Sequence, residues 1–264
     1  MNKMRIPIYI VAFTALLAGC TSQAESTAEW GEGQVSLSSQ TQIALEETSR
    51  ASYELSSELI PSSDQFSLEL SGSYTDSESG EQMSYSSSYE SIEDYNAELP
   101  WLYKGDYIAT ISYGDTSIES ATNACFSGEL KFEVIARKQS EEAITATLSN
   151  SAIRVVTTEW FDNYYTDAEF SVTTAAGNTF DFTPNDGVVI FVPAECELTL
   201  EGSAKNSQTG ASVTFSKSSI GATIAHKLNS ITINAGQAGG SIIEITLDET
   251  LTEVNTEIEL NPEA

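Results

Sequence analysis

Thiol chemistry is open to this chain at three positions, Cys20, Cys125 and Cys196, imidazole chemistry at one, His226, and carboxylate chemistry at 39. A serine or cysteine nucleophile ordinarily works beside a histidine base. His226 lies in Ile224-Ala225-His226-Lys227-Leu228 with no nucleophile motif near it, and reads as an ordinary surface or strand-end residue. No Gly-x-Ser-x-Gly, His-Glu-x-x-His, P-loop or dinucleotide-binding glycine pattern occurs in the sequence. Paired carboxylates can cleave glycosides. Among so many acids chance pairs abound, and none has the apolar setting that would raise one partner. The stretch from Asp162 to Asp167 carries oxygen ligands for a hard cation but no Asp-x-Asp-x-Asp-Gly loop, so its acids are expected to be solvated. The expectation is a chain with no enzymatic activity, no cofactor and no metal.

Cys20 is a different case. It follows Leu17-Ala18-Gly19, behind Lys3, Arg5 and an apolar run of twelve residues from Ile6 to Leu17. That run is shorter than the roughly 20 residues a membrane-spanning helix needs. The whole reads as a signal peptide over residues 1–19, ending in a bacterial lipobox. Its thiol would carry the acyl groups of the mature protein, and multiple chains suffice for stable anchoring. Removing the first 19 residues leaves nine basic against 39 acidic residues, a formal charge of −30. Such a chain is repelled by phosphate backbones, which excludes nucleic acid as a partner. Cys125 and Cys196 lie 71 residues apart. In an oxidising compartment they read either as a disulfide or as two buried thiols.

Two further places stand out. Arg50 is the only basic residue between Cys20 and Lys104, in a stretch with 16 acidic ones. It reads as an exposed partner of Glu46 and Glu47, worth under about 1 kcal/mol, or as a unique site for an arginine-specific protease. Trp160-Phe161-Asp162-Asn163-Tyr164-Tyr165 is the most aromatic hexapeptide. Alternate rings are expected to point into the core with Asp162 and Asn163 at a turn. The competing reading makes Trp160, Tyr164 and Tyr165 an exposed glycan-binding platform.

The elements that must position these residues read as strands. Residues 20–32 are small, polar and acidic, a flexible tether. Beyond them apolar residues alternate with Ser, Thr and Glu, as in Phe66, Leu68 and Leu70, or Leu130, Phe132 and Val134. Val35 to Leu45 reads as a strand, and so does Thr252 to Leu260 with Val254, Ile258 and Leu260 on one face. Turn residues fall at Ala176-Gly177-Asn178, Asn185-Asp186-Gly187 and Gly236 to Gly240. The serine-rich segment from Ser71 to Ser91 reads as a long hairpin with a mobile tip, and Ser91 to Leu99 as a helical turn stopped by Pro100. The predicted class is all-β, with sandwiches over residues 33–138 and 139–264 separated by the charged run Arg137 to Glu142.

Several short motifs share one further resemblance. They are Gly31-Glu-Gly33 before a strand, Leu99-Pro100 leading to Gly105-Asp106-Tyr107-Ile108-Ala109, and Phe126-Ser-Gly128 leading to Phe132-Glu-Val134. Leu148-Ser-Asn150-Ser-Ala-Ile153-Arg-Val155 and Ile243 to Glu249 complete the set. In order and spacing the chain resembles the lipoproteins of Bacteroidota grouped as domain of unknown function 4493, which are similar to fimbrillin-type surface proteins. The resemblance implies two tandem transthyretin-like β-sandwiches and an adhesin or pilus subunit. It also implies arginine-specific removal of the first strand and its replacement by a strand from another copy or another pilus subunit. Gln23-Ala24-Glu25 partly resembles the acidic signal that sends such lipoproteins across the outer membrane to the cell exterior. The alternative is an accessory lipoprotein that binds host or dietary glycans beside an uptake system.

Overall fold

A computed structural model of the chain describes residues 30–46, 52–235 and 243–247. The expected signal peptide over residues 1–19, Cys20, Arg50, the turn expected at Gly236 to Gly240 and the strand expected from Thr252 to Leu260 lie outside the described residues. Among those described, the chain is mostly β, with two short α-helices and two single 3-10 turns, Ser57–Leu59 and Ser63–Gln65. The first part holds β1 (Glu32–Thr41), β2 (Ala44–Glu46), β3 (Ser52–Glu54), β4 (Ser67–Thr75), β5 (Gln82–Tyr89), α1 (Ile92–Glu98), β6 (Leu102–Tyr103), β7 (Gly105–Tyr113), β8 (Phe126–Val134) and β9 (Gln139–Leu148). The later part holds β10 (Ser151–Thr157), α2 (Glu159–Tyr164), β11 (Tyr165–Thr174), β12 (Thr179–Phe182), β13 (Ile190–Val192), β14 (Glu197–Asn206), β15 (Ser212–Ala222), β16 (Leu228–Ala235) and β17 (Ile243–Leu247).

Period-two patterning places the core. Phe66, Leu68 and Leu70 are buried, as are Tyr107, Ala109 and Ile111 on the neighbouring strand, because one face of each pleat is turned from water. A seven-stranded sheet runs in the order β5-β4-β7-β8-β9-β1-β6. Beneath it a first core gathers β1, β4, β7, β8, β9 and the buried Ile92 and Tyr95 of α1. A second core lies between two four-stranded sheets, β13-β10-β16-β17 and β12-β11-β14-β15. It centres on Phe161, Phe170 and Phe215, with Phe170 and Phe215 stacked at 5.6 Å.

The charged run at 137–142 is not where the sheets change. Arg137 takes a left-handed φ of 62° in the tight turn between β8 and β9. β9 begins inside the run and lies in the first sheet, sending Ile144, Ala146 and Leu148 into the first core. The change falls at Ser149–Asn150. The expected strand from Val35 to Leu45 is likewise two strands, broken at Gln42–Ile43. The serine-rich hairpin forms as expected, and its tip is closed: the Asp76 carboxylate accepts from the Ser79 amide at 3.0 Å and its hydroxyl at 2.7 Å. These bonds hold the Asp76 carboxyl below its ordinary value.

The two cores meet through a bonded joint. Ser120 and Phe191 exchange backbone hydrogen bonds at 2.9 and 3.1 Å, and the Phe191 ring is buried in the first core. The Ser149 amide donates to the Cys125 carbonyl at 2.8 Å. The buried Asn150 amide accepts from Cys125 N–H at 3.2 Å and donates to the Asn123 carbonyl at 2.8 Å. One Glu119 oxygen accepts from Thr174 and Asn178, both at 2.8 Å, tying the loop before β8 to the β11–β12 turn.

Candidate functional site

β1 is held by a mixture of strand and side-chain bonds. One edge pairs in parallel with β9 over eight registered positions, from Gln34–Gln139 to Thr41–Ala146. The other edge pairs with β6 only at Glu32 and Gly33. Beyond that point α1 takes over the edge with side chains. Gln34 donates to the Leu99 carbonyl at 2.8 Å, and the Tyr95 hydroxyl donates to the Val35 carbonyl at 2.7 Å. The Asn96 amide accepts from Leu37 N–H at 2.9 Å and donates to the Leu37 carbonyl at 2.7 Å. One side chain thus makes both bonds that an antiparallel strand residue would make. The local sequence builds this helix: Ser91 caps it by accepting from Asp94 N–H at 3.0 Å, and Leu99 ends it in a left-handed turn at φ 42°. Val35, Leu37 and Leu45 carry β1 and β2 into the first core. β2 and β3 pair across the 47–51 connection that contains Arg50.

The aromatic hexapeptide is helix α2 followed by the first residue of β11, not an alternating strand. Thr158 caps it by accepting from Phe161 N–H at 3.3 Å. Helical spacing sends Phe161 and Tyr165 inward, leaves Trp160 outside and half-buries Tyr164 against the second core. Trp160 is 56% exposed and its ring lies nearly parallel to that of Tyr164 at 6.4 Å. Tyr165 is buried against Phe161 and Phe215 and drops out of the platform. Trp160 is therefore not the packing residue the alternation suggested.

The remaining candidates scatter. Cys125 and Cys196 are both free and buried, one at the joint and the other in the second core. Burial pushes both thiols up, which leaves them protonated and unreactive. His226 sits at the joint with its Nδ1–H donating to the Leu148 carbonyl at 3.0 Å. Asp162 accepts from Thr157 at 2.7 Å, whereas Asp167 pairs with Lys205 at 2.9 Å, so the two acids serve different partners. Among the described residues no group of three metal-ligating side chains assembles. None of the described helices is long and apolar enough to cross a membrane.

A second aromatic surface escaped sequence reasoning. Trp30 and Trp101 are 42% and 61% exposed at the end of the first sheet where β1 begins. Trp30 forms the common wall of two hollows of about 380 and 580 Å³. The first also takes Tyr74 and Tyr103, stacked at 4.6 Å, with Lys104; the second takes Trp101, Arg137 and Lys138. Backbone bonds fix this end: Lys104 N–H donates to Gly31 at 2.8 Å and Arg137 N–H to Glu32 at 2.7 Å. Gly33 is required there, since a Cβ would meet the Ile135 carbonyl at 2.4 Å. The signal was a tryptophan beside Gly-x-Gly and another directly after Leu99-Pro100.

No curated protein matches the chain. Among solved structures it is similar to a candidate polysaccharide-binding protein (DUF1812) from Bacteroides thetaiotaomicron, at 8% identity and a TM-score of 0.36, covering 85% of this chain and 100% of the other. A candidate cell-adhesion protein from Bacteroides ovatus gives 7% and 0.39, with coverage of 83% and 96%. Another from Bacteroides eggerthii gives 8% and 0.36, with 88% and 95%. In sequence, residues 31–262 match the family described as domain of unknown function DUF4493, and they include Gly31, Gly33 and Gly105 at the β1 end. The chain belongs to the DUF4493 family.

Proposed function

We propose that the chain is a non-catalytic surface lipoprotein of adhesin or pilus-subunit type, anchored through Cys20 in an outer membrane and facing the exterior. In this reading it has two tandem domains meeting at Ser149–Asn150, and β1 with β2 is a replaceable segment. The observation that carries it is the holding of β1. Its bonds to β9 are backbone bonds, and those from Tyr95 and Asn96 reach its backbone too. An extended segment with apolar residues at the Val35 and Leu37 positions, and no side chain at the Gly33 position, meets the same backbone partners. A cut after Arg50 would release β1 and β2 together and leave the β9 edge and part of the first core unpaired, an open template for another strand. Thr252 to Leu260 of a second copy supplies a fitting alternation in Val254, Ile258 and Leu260.

Limited trypsin digestion of the purified chain is the test. Cleavage after Arg50 should give a folded product from residue 51 onward that assembles into a ladder of oligomers. Resistance at Arg50, or a product that unfolds or stays monomeric, overturns strand replacement. The anchor is tested separately: Cys20→Ser should move the protein out of the membrane fraction. A second reading, glycan binding, is favoured by the exposed Trp160 ring, parallel to that of the half-buried Tyr164, with Asp162 and Asn163 beside it. Loss of binding on a glycan array by Trp160→Ala, at unchanged melting temperature, would select it.

A further inference from the structure

The aromatic and basic residues around the start of β1 form one surface, and its position along the chain matters. Trp30 is ten residues from Cys20, a length that spans no more than about 36 Å even fully extended. β1 and β9 both start at this end and run in parallel toward the joint. A ten-residue strand is about 33 Å long, so the second core lies beyond the far end of the sheet. If Cys20 is acylated, the end bearing Trp30 and Trp101 is the described part of the molecule nearest the bilayer.

Its chemistry differs from the rest of the surface. The chain carries a formal −28, yet three of the eight basic residues among those described line these two hollows: Lys104, Arg137 and Lys138. Two carboxylates, Glu32 and Asp106, line them as well, which leaves a local balance of one positive charge. Two of the three tryptophans and the stacked Tyr74–Tyr103 pair share the surface. Tryptophan and tyrosine favour the headgroup layer because an apolar ring and a polar N–H or O–H are both accommodated there. Lysine and arginine beside them attract anionic headgroups.

We infer that this end is a membrane-docking collar: Trp30, Trp101 and Tyr103 seat among lipid headgroups while Lys104, Arg137 and Lys138 meet their anionic groups. The anchor then holds the protein in one orientation, with the second core pointed away from the bilayer. The backbone bonds that fix Gly31, Glu32 and Lys104 make the collar a preformed surface. The inference rests on acylation of Cys20, and the experiment separates the two.

Lipidated full-length chain is reconstituted into vesicles of phosphatidylcholine with an equal part of phosphatidylglycerol, and acylation is verified by mass spectrometry. Three variants each retain one tryptophan, the other two being phenylalanine. Quenching by headgroup-level spin-labelled lipid should be strong for Trp30 and Trp101 and absent for Trp160. Arg137→Glu and Lys138→Glu should each weaken the docked state about five-fold, and added salt should do the same, at unchanged circular dichroism. An acylated chain in which all three tryptophans are equally unquenched overturns the collar and leaves the anchor standing. If the chain is not acylated, the anchor fails, and the same quenching measured on unlipidated protein added to the vesicles decides the collar by itself. A blue shift of Trp30 and Trp101 emission with a soluble acidic oligosaccharide, without vesicle quenching, would overturn the collar and assign the hollows to a saccharide.

Discussion

The first sheet takes a strand near its edge from the start of the chain and the second core takes an edge strand from its later part, and the two are held by different means. β17 sits on β16 through five antiparallel positions, with Ile245 and Leu247 buried. β1 lies parallel to β9, a pairing with slanted bonds that is slightly weaker per residue, and α1 adds side-chain bonds along its free edge. The cores differ as well. The first is rich in buried tyrosine, with Tyr95 and Tyr107 each donating to a backbone carbonyl. The second buries one tyrosine, Tyr165, and both cores bury four phenylalanines. Buried phenols must stay protonated, a condition that weighs more on the first core.

Four measurements would break or sharpen this contrast. The largest effect should come at the joint: Phe191→Ala should cost about 3 to 5 kcal/mol and lower the unfolding of both cores together. A shift confined to one core would show that the halves unfold independently. Next comes alkaline pH. Burial raises Tyr95 and Tyr107 above the ordinary tyrosine range, and burial pushes Tyr85 up to about 12. Above the unfolded value of about 10, the unfolded chain loses these protons first, so stability falls with rising pH. The slope is at most about 1.4 kcal/mol per unit for each phenol. In the second core only Tyr165 is raised among the described tyrosines. Hydrogen exchange near pH 11 should open the first core ahead of the second, and simultaneous opening would erase the distinction.

Asn96→Ala removes both bonds to Leu37 and should cost about 1 to 3 kcal/mol. Faster exchange of the Leu37 amide and of its neighbours in β1, with β17 unaffected, is the expected result; no change would mean that β9 alone secures the strand. The smallest effect belongs to Trp160→Ala, within about 1 kcal/mol for so exposed a ring, read from thermal melting. A larger loss would show that Trp160 helps to pack α2.

Individual strands were legible because burial of one face writes a period of two into a local run, as at Phe66 to Leu70. Pairing was not legible. β1 and β9 are about a hundred residues apart, and backbone bonds between them leave no residue signature. The charged run at 137–142 imitated a linker because no side chain is buried in the first five residues of β9. α2 was too short for its spacing to stand clear, although Phe161 and Tyr165 lie four apart on the inner side. The exposed Trp30 was hidden among small and acidic neighbours, which suggested only a tether. The cysteines could be counted but not placed, since sequence separation says nothing about whether two side chains meet.

The parallel register of β1 and β9 has a mechanical consequence. If Cys20 is the anchor, the chain is held at the start of β1, and a pull on the second half reaches the sheet through the end of β9 and through the joint bonds between Ser120 and Phe191. The two strands run the same way, so that pull acts along them in opposite senses. It shears eight registered positions at once and does not peel them one by one. Rupture then requires many bonds to fail together. Any replacement strand that entered parallel to β9 would inherit the same geometry, and one that entered antiparallel would unzip under far lower load.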